Sequence, residues 1–315
     1  MKKLNVIKII DVYGWAFHFI GKDMQKHSQH NVIINKYNNI GYGGADIIIS
    51  SCPTIGNITR YEVPKICQQR GIKFIGQYCS ENQLTYSHAD LIITISPQVY
   101  KWAKNNCSYP VIYLPESVDV NFFAPKERNS SDFIVGWAGN GTRPLKRTHL
   151  LNDLNVPVYL KSEHGIEFFK ENRTLDSMLD FYHSINCYVL VSSSECQPRV
   201  VMEAMACGLP VISTNVGSIP LLLDKDWIIP VNPEAEVVKQ LKEKITLLKK
   251  NPSLKKEVGE RNRKFIEEKF SWEKNQIYWD RVFEALKNND FKTITNINNE
   301  VIDGLTPKFK EMINE

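Results

Sequence analysis

Short apolar runs rich in β-branched residues recur along this chain, and most are followed by a stretch with helical spacing. Residues 4–10 form the first run. A tight turn follows through Asp11, Val12, Tyr13, Gly14 and Trp15, after which Phe17, Ile20 and Met24 repeat at helical intervals. Runs at 32–34, 45–50, 73–77, 89–96 and 111–114 continue the pattern, with helical stretches at 64–70 and 97–104. Ser96 and Pro97 supply a cap and a first-turn proline for the second of these helices. Strands this short and apolar are buried on both faces, as in a parallel sheet covered by helices. The pattern restarts at 133–138 and runs through 156–160, 187–191 and 228–231, with helices at 174–183, 234–250, 253–269 and 271–286. The expected fold is α/β, with two doubly wound Rossmann-like domains facing a central cleft. Polar residues 126–132 form the linker, giving domains at 1–127 and 128–287, the last helix (271–287) being able to pack back on the first. Residues 288–315, rich in asparagine and charge, read as a polar tail or a small helix near 308–313.

The 315 residues suffice for two cores. A formal net charge of +4 is too small to imply nucleic acid by itself, although it would favour an anionic substrate or membrane surface. The seven cysteines are odd in number and include no Cys-x-x-Cys pair. They read as reduced, buried thiols of a cytoplasmic protein rather than a disulfide or zinc framework. Met-Lys-Lys precedes the first run, Asp11 interrupts it, and no small-residue cleavage site follows, so the run reads as a strand and not as a signal peptide. No apolar segment is long enough to span a bilayer, which leaves peripheral membrane contact open. Oligomeric state is not legible.

The most informative stretch is 192–220. It reads as a strand end, an acidic loop, a short helix starting near Pro198, a glycine stop at Gly208 and a second strand. Glu195 and Glu203 are its two acids. A helix N-terminus offers unpaired N–H groups and the positive end of a dipole, which suit a phosphate. Arg199 adds charge there, and a carboxylate one turn in can accept hydrogen bonds from a vicinal diol such as a ribose. On spacing alone, solvated acids at a helix start explain the same residues.

The stretch resembles the signature of the family-4 (glycosyl transferases group 1) type of retaining glycosyltransferase, whose fold is called GT-B. Ser192, Glu195, Pro198, Glu203, Ala204, Met205, Ala206, Gly208, Pro210, Val211 and Ile212 match it in register, with seven residues between the acids. Val118, Asp119, Phe123 and Pro125 are similar to the family's interdomain motif, and Phe270-Ser271-Trp272 to its closing helix. The match covers most of 110–287 and only weakly the first hundred residues. It implies transfer of a sugar from a nucleotide-diphosphate sugar, UDP- or GDP-linked, to an acceptor hydroxyl with retention of configuration. No metal and no further cofactor are implied, and no Asp-x-Asp pair stands at a strand end.

Residue by residue, the resemblance places Glu203 on the donor ribose, Glu195 near the donor sugar and Lys146 on the diphosphate. The family's Gly-Arg is Gly139-Asn140 here, and Arg143 on the same loop is assigned the missing charge. The expected catalytic group is therefore Glu195, Lys146, Arg143 and His18. The donor-binding group is Glu203, Arg199, Val200, Asn140 and Gly139, with Asn172 and Arg173 near the nucleobase. The acceptor falls to the first domain around Gly14, Trp15, His18 and residues 77–81, including Gln77 and Glu81. It could be a glycan, a lipid-linked sugar, a protein or a modified nucleic acid. Blander readings stand beside these: Lys146 and Arg147 as a solvated loop, and His18 as a packed or solvated histidine. The family's Pro-Glu is Pro220-Leu221 here. The rival to an enzyme is a non-catalytic nucleotide-sugar-binding protein that keeps the fold. A phosphorylase or nucleotide-sugar epimerase would need signatures that the chain lacks.

Overall fold

The structure is a computed structural model that describes the chain except residues 1, 12, 14–15, 52–60, 80–85, 127–131, 163–174 and 315. It divides into two compact units, one of Met1–Ser117 with Trp272–Glu315 and one of Val118–Ser271. Each is built on its own parallel sheet, as the two sets of apolar runs require.

The first unit starts β1 (Asn5–Ile10), α1 (Ala16–His27), β2 (Asn31–Lys36), β3 (Ile47–Ser50), α2 (Val63–Arg70), β4 (Lys73–Tyr78), β5 (Leu91–Thr94), α3 (Pro97–Asn106) and β6 (Val111–Tyr113). Its sheet has the order β2-β1-β3-β4-β5-β6, with every paired strand parallel. Strands β3 and β5 are buried throughout, which accounts for their near-continuous Ile and Leu. Ser96 caps α3 by accepting from the Val99 amide, with Pro97 in the first turn.

One polar side chain breaks this apolar layer. Lys8 of β1 is inaccessible to solvent and donates to Gln77 Oε1 at 2.6 Å and to the Ser51 hydroxyl. Gln77 donates in turn to Glu116 Oε1 at 2.6 Å. Gln77, expected to face an acceptor, is thus fully buried in a polar network, as a charge inside a sheet requires.

The second unit contains β7 (Val135–Gly139), β8 (Val158–Ser162), α4 (Leu175–Ser184), β9 (Cys187–Leu190), α5 (Arg199–Ala206), β10 (Val211–Thr214), α6 (Ile219–Leu222), β11 (Ile228–Ile229), α7 (Glu234–Lys250) and α8 (Pro252–Lys269). Its sheet runs β11-β10-β9-β7-β8, again parallel. Val135, Trp137, Val189, Ile212, Leu241, Ile245 and Leu248 share one core. The four-residue run expected at 228–231 keeps only two ladder residues, Ile228 and Ile229.

The units divide at Ser117/Val118 and at Ser271/Trp272, not at 127/128. Hydrogen bonds tie residues 118–123 into the second unit. Val118 bridges Ser271, and its amide donates to Phe270 O at 2.9 Å. Arg263 Nη1 donates to the carbonyls of Val120, Phe123 and Ala206 at 2.9, 2.6 and 2.6 Å.

The chain then returns to the first unit through α9 (Trp272–Lys287), α10 (Phe291–Asp303) and α11 (Lys308–Asn314). Trp272 Nε1 donates to Asp23 of α1 at 3.1 Å, and Asp280 accepts from Ser28 Oγ and the Gln29 amide at 2.6 and 3.0 Å. The stretch expected as a polar tail or a small helix near 308–313 holds that helix, α11, and a second packed one, α10. Ile294, Ile297 and Val301 are buried at helical spacing, Phe309 stacks 4.6 Å from Tyr113, and Asn298 Oδ1 accepts from the Tyr113 amide at 2.8 Å. Asn298 and α10 thereby cover an edge strand that would otherwise expose a free N–H.

Every described cysteine is a free thiol: Cys67, Cys187 and Cys207 are buried, while Cys79, Cys107 and Cys196 are half-buried. Burial pushes the Cys67 thiol up to about 12, with Asp90 adding to the effect. No helix among the described residues is long and apolar enough to cross a membrane.

Gly259 of α8 sits on the end of α5, where an added Cβ would come within 2.1 Å of the Gly208 carbonyl oxygen. Ordinarily Gly→Ala inside a helix stabilises by roughly 1 kcal/mol. Here Gly259→Ala must lower the melting temperature, by overpacking of about 1–3 kcal/mol. A calorimetric scan showing a rise would refute this close approach.

Candidate functional site

In the second sheet β7 stands between β8 and β9, so the chain leaves β7 to one side while β9 leads on to β10 at the other. Loops at the carboxyl ends of two such strands diverge and open a crevice where ligands bind in open α/β sheets. The loops here are 140–151 after β7 and 191–198 after β9. They carry Asn140, Arg143, Lys146 and Glu195 of the residues that the sequence singled out.

The first loop is built from tight turns. Asn140 Oδ1 accepts from the Thr142 amide at 3.0 Å and from its hydroxyl at 2.6 Å, which shapes the backbone after Gly139. Pro144–Lys146 forms one 3-10 turn and Thr148–Leu151 another. Between them Arg147 adopts φ 48°, ψ 39°, the left-handed region. Arg143 is exposed, and Lys146 is mostly buried.

The two loops meet in a set of short contacts. Lys146 Nζ lies 2.5 Å from Glu195 Oε1, with the two side chains 16% and 14% exposed. Ser192 Oγ donates to the same carboxylate oxygen at 2.7 Å. The Ser193 amide donates to Leu145 O at 2.8 Å. Arg147 points the other way from Lys146. Its Nε donates to Val191 O at 2.8 Å, Nη2 to Ser192 O at 3.3 Å and Nη1 to Val231 O at 2.7 Å. Burial pulls this guanidinium below its usual pKa, and Glu234 opposes the shift. Arg147 is therefore no solvated loop residue. Behind the second loop, an added Cβ on Gly217 (φ 52°) would come within 2.2 Å of Cys196 O and 2.6 Å of Glu195 O. Only a glycine lets that backbone approach.

The helix after this loop is α5, with Pro198 at its N-cap and Arg199 as its first residue. Glu203, one turn in, is 5% exposed at its side chain. Arg199 Nε donates to Glu203 Oε1 at 2.6 Å, and the Tyr182 hydroxyl donates to Oε2 at 2.8 Å. Burial and the neighbouring Glu203 charge push the Tyr182 hydroxyl well above its usual pKa, so it stays a donor. The carbonyl of Val200 lies 3.3 Å from the same hydroxyl. An acid at a helix start is ordinarily solvated; this one is enclosed and oriented from two sides.

Gly139, Asn140, Arg143, Lys146 and Glu195 thus lie on the two switch-point loops, and Arg199, Val200 and Glu203 on the adjoining helix. His18 belongs to the first unit, half-buried on α1 with its ring 5.1 Å from Tyr13. Gly14, Trp15, Glu81, Asn172 and Arg173 lie outside the described residues. Three contributors escaped the sequence reading. Tyr182 and Gly217 were not singled out, and Arg147 was read only beside Lys146 on a solvated loop.

This architecture of two parallel α/β sheets is the GT-B fold. It is shared with the sucrose-phosphate synthase of Thermosynechococcus elongatus, at TM-score 0.72 and 13% identity over 91% of this chain and 100% of that one. Anabaena HepE, solved in complex with UDP and glucose, aligns at TM-score 0.65 and 12% identity over 93% of this chain and 100% of that one. In sequence, residues 160–265 match the family described as Glycosyl transferases group 1. The capsular polysaccharide biosynthesis glycosyltransferase CapM of Staphylococcus aureus is 34% identical over 187 residues, 52% of this chain and 48% of CapM. The chain spans 29–32% of the length of three other curated relatives that it matches.

Tyr182→Phe keeps the ring and removes one donor from a buried carboxylate. It should cost about 1.5–3 kcal/mol of stability, measurable by urea unfolding. Unchanged stability would mean that Glu203 is not held from this side. In the first unit, burial and then Lys22 hold His18 below its usual value of 6.5. The unfolded chain therefore takes up this proton first as pH falls. The stability contributed by neutral His18 is complete above about 6.5 and is lost below it. An NMR titration midpoint below 6.5, and a flatter pH–stability curve for His18→Gln, are the expected results.

Proposed function

We propose that the protein is a retaining glycosyltransferase that uses a nucleotide-diphosphate sugar without a metal ion. The observation carrying this reading is the pairing of Lys146 with Glu195 across the switch point of the second sheet. It sits beside a helix N-terminus that suits a diphosphate, and the family match at residues 160–265 and the UDP and glucose held by the structural neighbour HepE favour the same chemistry.

The reaction breaks the bond between the sugar's anomeric carbon and the diphosphate, so charge grows on a phosphate oxygen. Lys146, Arg143 and the amides at the start of α5 stabilise that charge. An ammonium has three donors, so Lys146 can bind a phosphate oxygen while it retains Glu195. Gly139 and Asn140 line the same loop. Glu203, preset by Arg199 and Tyr182, accepts the ribose hydroxyls, and Asn172 with Arg173 flanks the base. Glu195 orients the donor sugar and balances positive charge at the anomeric carbon. The acceptor hydroxyl forms the new bond on the face the diphosphate leaves, and its proton passes to a diphosphate oxygen. Gly14, Trp15, His18 and Glu81 of the first unit are assigned to the acceptor, which is a glycan, lipid-linked sugar, protein or modified nucleic acid.

A thermal-shift and nucleotide-release screen against UDP-, GDP- and ADP-linked sugars tests this. A donor that binds the native state raises the melting temperature with concentration. We expect a UDP- or GDP-sugar to do so and to release nucleotide. Lys146→Ala should then lower kcat by about 100–1,000-fold. Glu203→Gln should raise the donor Kd by about tenfold, the value of a hydrogen bond to a charged group. No response to any donor sinks the assignment. Binding without release, in the presence of varied acceptors, would instead assign a non-catalytic nucleotide-sugar-binding role.

A further inference from the structure

Arg147 is one of three described non-glycine residues with positive φ, at 48°. That region favours glycine, because Cβ crowds the neighbouring carbonyl. A strained arginine is retained for what its side chain does. Here the guanidinium is 7% exposed and spans three carbonyls: Val191 and Ser192, directly beyond β9, and Val231, two residues beyond β11. Arginine's planar fork makes such a set possible; lysine, with a single nitrogen, cannot reproduce it.

The left-handed turn also explains why consecutive side chains diverge. Lys146 goes to the Glu195 carboxylate, and Arg147 to the backbone three and four residues before it. Between these contacts the Ser193 amide donates to Leu145 O. Residues 145–147 therefore grip 191–195 at both ends and in the middle. Ser192 is central to this grip. Its carbonyl accepts from Arg147 and from Thr214 Oγ1 at 2.6 Å, while its own hydroxyl donates to Glu195 Oε1.

We infer that Arg147 is a positioning residue: it fixes the segment 191–195 so that Glu195 meets Lys146, and it holds both where the donor's diphosphate and sugar are processed. This inference rests on the catalytic reading above. It adds a requirement that Lys146 and Glu195 do not meet by themselves, since they stand on loops that leave the sheet in opposite directions.

Arg147→Gly is the decisive variant, because glycine suits the left-handed backbone while the whole side chain, guanidinium included, is removed. Arg147→Lys keeps a charge but not the fork. Steady-state kinetics with the best sugar nucleotide from the screen should show kcat falling by about 100-fold for Arg147→Gly, the cost of roughly 1 Å of misplacement. The donor KM should stay within a few-fold, and Arg147→Lys should fall between the two. Amide hydrogen exchange on the same proteins should show loss of protection at Ser193. A folded Arg147→Gly protein with wild-type kcat overturns the inference, as does one with unchanged Ser193 protection. If the wild-type protein turns over no sugar nucleotide, the catalytic reading has failed. Exchange then decides the positioning role alone: lost protection in Arg147→Gly supports it, and retained protection overturns it.

Discussion

A partly buried ammonium and a partly buried carboxylate, Lys146 and Glu195, meet at the carboxyl edge of the second sheet, and the local structure follows from what that meeting requires. Two charges taken out of water are costly unless their geometry is good and their remaining bonding capacity is met. The carboxylate has a second donor in Ser192, and the two loops are joined by the Ser193 amide. Coulomb attraction at this depth exceeds that of an exposed pair. The same partial desolvation strengthens any contact that Lys146 makes with an incoming phosphate. Arg147, Gly217 and Thr214 are explained by this constraint: each holds or admits backbone beneath the pair.

The neighbouring acid shows a second way of presetting a charge. Glu203 lies on a helix whose other face is packed against the sheet and α8, with Val201, Met202, Ala204, Met205 and Ala206 all buried. Its carboxylate is fixed by Arg199 four residues earlier on the same helix and by Tyr182 from α4. A tyrosine whose hydroxyl does not ionise is a durable donor for a buried acid. The helix thus presents one oriented carboxylate and, at its start, the amides that suit an anion.

Much of this was legible from residues alone. The β-branched runs announced the strands, since strands buried on both faces have no polar side to vary. Pro198 and the stop at Gly208 and Pro210 announced the short helix after the loop, since they mark its start and its end. The small helix near 308–313 was legible, but α10 was missed because asparagine and charge dominate 288–315, whereas burial there depends on apolar side chains such as Ile294, Ile297, Val301, Phe309 and Met312. The unit boundary was misplaced because polarity marks a linker only where no long-range bond holds the chain. At 118–123 Arg263 supplies such bonds from α8.

The sequence by itself determined the class of fold, the number of sheets and the two acids with their neighbouring lysine. The fold class and the sheets follow from local periodicity, a property of adjacent residues, whereas the acids and the lysine were picked out by the resemblance of their motifs to a family signature. Tertiary structure alone decided that β7 lies beside β9, and so that Lys146 reaches Glu195 over 49 residues of chain. It also decided that Arg147 turns inward while Arg143 stays exposed, although the two stand four residues apart on one basic loop. The choice of buried partner for Arg147 depends on which carbonyls the ends of β9 and β11 present. Only the folded chain brings those carbonyls together.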